Sequence, residues 1–60
     1  MNKFIIEIDS SYYTITNDVM LEKAKQILKE KENIVVKSII IKEIEKDINK
    51  NTIKYKFEYE

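Results

Sequence analysis

The stretch "DSSYY", residues 9 to 13, sets a carboxylate, two hydroxyls and two phenols side by side. From such groups a hydroxyl nucleophile and its activator could be assembled. That chemistry needs a general base, a histidine or a lysine of depressed pKa, and the chain contains no histidine. Asp and Ser are also the residues turns prefer, because their side chains bond the neighbouring backbone. A turn is the expected role. Paired carboxylates recur at Glu43 and Glu45 and at Glu58 and Glu60, where they could hold a hard cation or divide acid and base work. On an open strand face nothing desolvates them or drives their pKa values apart, so a solvated surface is expected. The segment "TIKYKFEYE", residues 52 to 60, interleaves lysines with aromatics, as modules that stack single-stranded nucleic acid do. Alternation puts Tyr55, Phe57 and Tyr59 on one side and Lys54 and Lys56 on the other, which reads as core and surface.

Composition narrows the chemistry further. The chain has 60 residues and no cysteine, so neither a disulfide, a thiol nucleophile nor a thiolate metal site is open to it. Zero glycine argues against phosphate-cradling loops, whose backbone positions only glycine adopts cheaply. Asn33, Asn49 and Asn51 are left to supply any left-handed turn positions. The eleven basic residues are all lysine and are balanced by eleven acidic ones, so no bulk field draws the chain to nucleic acid or anionic lipid. No apolar run approaches membrane-spanning length, and Glu7 and Asp9 interrupt the N-terminal run before it resembles a signal peptide. The chain reads as cytoplasmic, starting at its own initiator methionine. No cofactor, metal or small-molecule substrate is expected, and no enzyme. Phe, Tyr, Met, Ile, Asn and Lys make up 36 of the 60 residues, a skew matching AT-rich codons of the kind phages, plasmids and some bacteria share.

The elements that would position these groups follow from periodicity. Phe4, Ile6 and Ile8 alternate with Lys3, Ile5 and Glu7 in a strand over 3–8, and Tyr13 and Ile15 predict a second over 12–16. Thr16, Asn17 and Asp18 offer cap oxygens for a helix over 18–32, whose Met20, Leu21, Ala24, Ile27 and Leu28 share one stripe, with Asn33 as its left-handed stop. Strands over 34–46 and 52–59 complete the chain, joined by "DINKN". Two registers suit this hairpin, one setting Glu43 against Lys56 and Glu45 against Lys54, the other Glu43 against Lys54. The expectation is one α+β domain over 1–60, β-β-α-β-β, with a four-stranded antiparallel sheet in order 2-1-3-4 and the helix on one face. The lysines of the last strand suggest an edge. The opening "KFIIEIDSSYYTIT" followed by "MLEKAKQIL" is loosely similar to the start of HicB-type antitoxins. It lacks that pattern's glycines and proline-containing segment, so no function is carried over.

Three consecutive isoleucines, Ile39, Ile40 and Ile41, cannot all enter one core from one strand. With Ile40 and Ile44 inward, the opposite face carries Ile5, Tyr12, Val35, Ile39 and Ile41 within a charged rim. Such a patch reads as an interface; the alternatives are isoleucines that merely serve strand propensity beneath draped lysine stems and a bulge near Ser38. The expected partner-binding residues are Ile5, Tyr12, Val35, Lys37, Ile39, Ile41, Lys54 and Lys56. The function they imply is a small protein-binding module working through its uncovered sheet face and edge strands. An accessory or inhibitory protein of a phage or plasmid, acting on a host defence or regulatory factor, suits the composition, with a second copy of the chain, as a homodimer, as another partner. The alternative is nucleic-acid binding through the lysines and tyrosines of the C-terminal hairpin.

Overall fold

The alternating N-terminal residues form strand β1, Asn2–Asp9, in the computed structural model, which describes residues 2–12 and 15–60. The chain leaves β1 through a 3-10 turn, Ser10–Tyr12, forms helix α1, Asn17–Glu32, and returns as β2, Ile39–Asp47, and β3, Thr52–Tyr59. These strands make one antiparallel sheet in the order β1-β3-β2, with α1 packed on one face. The molecule is a small α+β domain built on three strands.

The expected four-stranded sheet is therefore corrected. No strand forms over 12–16 among the described residues: the segment is entered by the 3-10 turn Ser10–Tyr12 and left at the helix cap Thr16. The Asp9 carboxylate accepts from the Ser11 N–H at 2.9 Å, and the Ser10 hydroxyl donates to Asn51 Oδ1 at 2.6 Å. Tyr12 belongs to the 3-10 turn and Ile15 packs against the core from a bend; Tyr13 and Thr14, which the expected strand needs, lie outside the described residues. Thr16 is spent as the helix N-cap, its hydroxyl accepting from the Val19 N–H at 3.3 Å.

The strand order is corrected as well. β3 sits in the middle, not at an edge, because Ile53, Tyr55, Phe57 and Tyr59 carry the largest apolar payload and the central strand is where it is best covered. Phe57 is 1% exposed. The β3 lysines mark no edge: Lys54 faces Glu7 and Glu45, and Lys56 faces Ile5 and Glu43. The long strand expected over 34–46 begins only at Ile39, and the ladder closes where Ser38 and Glu60 exchange backbone bonds.

The helix follows the sequence closely. Met20, Ala24 and Leu28 are fully buried, with Leu21 and Ile27 packed beside them. Asn33 ends α1 in the left-handed region at φ 57°, and the N–H groups of Asn33 and Ile34 bond back to the carbonyls of Lys29 and Leu28. Asn51 supplies the second positive φ, 58°, in the turn between β2 and β3.

The isoleucine triplet is resolved by a bulge, at Lys42 rather than near Ser38. Ile39 pairs with Tyr59 and Ile41 with Phe57, so both face the helix and pack against the core, contrary to the expectation that they point outward. Ile40, expected inside, pairs with Glu58 on the outer face and is 50% exposed. Past the bulge the phase shifts by one, so Ile44 pairs with Tyr55 on the helix side, where it stays about half exposed beyond the helix's cover. Of the two hairpin registers, the one setting Glu43 against Lys56 and Glu45 against Lys54 is realised.

Candidate functional site

Opposite the helix, the sheet carries cross-strand rows whose composition follows from register. Glu7, Lys54 and Glu45 form one row, Ile5, Lys56 and Glu43 the next, and Lys3, Glu58 and Ile40 the third. Opposite charges across a ladder stabilise it modestly. The Lys56 ammonium pairs with both Glu43, at 3.6 Å, and Glu45, while Glu7 accepts from the Thr52 hydroxyl at 2.6 Å. Ile5 and Ile40 are the apolar members of this face, each about half exposed. An open groove crosses it past Lys3, Ile5, Glu43 and Lys56.

Lys56 holds the Glu45 carboxyl below the ordinary carboxylate range by hydrogen bond and charge, and Glu45 in turn raises Lys56. Because the Glu45 pKa is depressed in the fold, its contribution is present above the ordinary carboxylate value and is lost as pH falls through the depressed one. The raised Lys56 contributes below the ordinary lysine value and loses that contribution as pH climbs through the raised one. Replacing Glu45 by Gln is therefore expected to lower the urea midpoint slightly at neutral pH. The difference should fade in acid and in high salt, since exposed pairs are weak and screened; a midpoint difference indifferent to both would show that the pair carries none of it. Asp9 is likewise lowered by the backbone N–H of Ser11, which makes it a turn ligand rather than a base. Among the described residues no group of three or more acidic side chains is placed to hold a metal ion, and no helix is long and apolar enough to cross a membrane.

The two outer strands differ as edges. Ser10 donates its N–H to the Asn51 carbonyl in the pair that continues the β1–β3 ladder. Bonded residues alternate in antiparallel pairs, so Asn2, Phe4, Ile6 and Ile8 bond β3. The N–H and C=O groups of Lys3, Ile5 and Glu7 then face the free edge. The Ser38–Glu60 bonds, on the other side of β3, obey the same alternation. Among the described residues no other backbone group bonds to that side of β1. β2 is the guarded edge: the bulge interrupts it, and Lys42 and Lys46 sit along it.

The expected partner-binding residues do not form one patch. Ile5, Lys54 and Lys56 share the outer face. Ile39 and Ile41 lie across the sheet, packed against the core, and Val35, 74% exposed, and Lys37 stand in the link before β2. Tyr12 is placed by its backbone in the 3-10 turn. Ile40 joins the outer face unexpectedly; the spacing of Ile39, Ile41 and Ile44, two residues and then three, is the signal of the bulge that puts it there. No protein-family model matches this chain, and no curated protein and no solved structure is detectably similar to it.

Proposed function

We propose that the domain is a protein-binding module without chemistry of its own, which gives an open sheet edge and the adjoining outer face to another polypeptide. The observation that carries this reading is the row of outward N–H and C=O groups at Lys3, Ile5 and Glu7 on a strand with neither proline nor bulge. A strand added there gains main-chain hydrogen bonds, and its alternate side chains meet Ile5 on one face and Phe4 and Ile8 on the other. The AT-rich composition supports a phage or plasmid setting, in which an accessory or inhibitory protein occupies a host factor.

A library of displayed peptides panned against the protein tests the reading. Extended, alternating peptides should bind the parent chain and bind Ile5→Pro about tenfold more weakly or worse. Proline at this position removes an outward N–H while sparing the ladder to β3, the arrangement in which edge strands tolerate it. Retention of no peptide, or equal binding to both proteins, would contradict the proposal. The nucleic-acid alternative has less support, since Tyr55 and Tyr59 are buried and Lys56 is engaged by two glutamates. It requires affinity that falls steeply with salt and drops on losing Lys54 or Lys56.

A further inference from the structure

Resting on that reading, we infer that β1 takes a second copy of itself as its strand partner, in one register centred on Ile5. Two copies of β1 pair antiparallel about a two-fold axis only if residues of the same parity face each other, because only those have free backbone groups on the same edge. Mirroring about Ile5 sets Ile5 against Ile5, Lys3 against Glu7 of the second copy, Phe4 against Ile6 and Asn2 against Ile8. Lys3 and Glu7 then meet their opposites, and on the outer face the one apolar side chain of the strand meets itself. Shifting the centre to Phe4 sets Lys3 against Ile5. Shifting it to Ile6 pairs Lys3 with Asp9 but sets Glu7 against Ile5. Of the three, the centred register alone sets Lys3 against Glu7 and Ile5 against itself.

Packing supports the same edge. Phe4 and Ile8, on the helix-facing side of β1, remain only partly buried. Opposing Phe4 to Ile6 adds an aromatic and β-branched pair of the kind that stabilises sheets. The product is a continuous six-stranded sheet, β2-β3-β1 meeting β1-β3-β2, with both helices on one face. The bulge and lysines of β2 then end the sheet on either side.

Light scattering on a sizing column, from low micromolar to near-millimolar concentration, should show the intact chain as a dimer that dissociates on dilution. Lys3→Glu and Glu7→Lys each put like charges at two symmetric positions and should weaken the dimer about tenfold or more. An equal mixture of the two variants restores both pairings and should dimerise like the parent, as should the double variant. Circular dichroism confirms that each variant is folded. Should either reversal unfold the chain, Ile5→Asp reads the same interface, placing two carboxylates face to face at a side chain 54% exposed in the single copy. A parent chain that stays monomeric throughout, reversals without effect, or folded variants that fail to rescue each other would overturn the inference. A monomer that still selects peptides through Ile5 would leave the protein-binding proposal standing; a monomer that selects none would remove both.

Discussion

Phe57→Ala is expected to leave the chain largely unfolded at room temperature. The ring is fully buried in the central strand, opposite Phe4 on one side and Ile41 on the other, and its centroid lies 6.2 Å from that of Phe4. Truncating a buried phenylalanine costs about 3–5 kcal/mol, through lost transfer energy and the cavity left behind. A single core in a chain of this size rarely supplies more than that. With no disulfide to hold the remainder, loss of the near-native circular dichroism spectrum and of a cooperative urea transition is the result to look for. A variant with an intact transition, shifted by less than about 1 kcal/mol, would show that Phe57 is not the centre of the core.

The second large effect separates neighbours in the isoleucine triplet. Ile41→Lys should destabilise by about 2 kcal/mol or more, since it withdraws apolar area packed against Phe57 and leaves an ammonium at the edge of the core. Ile40→Lys should fall within about 0.5 kcal/mol of the parent, because its side chain is half exposed beside Glu58, a favourable cross-strand partner. Urea unfolding of the two variants measures the difference directly. Equal effects, or a larger one at Ile40, would reverse the face assignment and remove the bulge from the account.

Much of the fold is legible because its strongest signals are local. The helix stripe, the Asn33 stop, the alternation of β3 and the inward set Phe4, Ile6 and Ile8 each depend on periodicity within a few residues, and each stands in the structure. Errors arise where two local preferences compete or where a long-range choice decides. Thr16 suits a strand by type and a helix cap by position, and the cap takes it. Lysines on β3 resemble edge protection until Glu7, Glu43 and Glu45 are seen to flank them from both neighbours. The phase of Ile39 to Ile41 depends on a single extra residue at Lys42, and a one-residue slip moves every side chain before it to the other face.

The candidate surface is legible in part for the same reason. Ile5, Lys54 and Lys56 are placed by clean alternation on two unbulged strands, so their outward direction follows from sequence. Ile39 and Ile41 lie on the bulged strand, and their assignment to the same surface does not survive. That β1 is an edge cannot be read locally at all. It follows from β3 taking the centre, a competition between strands for the covered position.

The most direct test of the open edge is residue-resolved amide exchange by NMR over a dilution series. The N–H groups of Phe4, Ile6 and Ile8 should be protected at every concentration, while those of Lys3, Ile5 and Glu7 exchange freely in dilute solution and gain protection as concentration rises. Protection of Lys3, Ile5 and Glu7 equal to that of their neighbours, and unchanged by dilution, would mean that the edge is already covered within the single chain and would contradict the account.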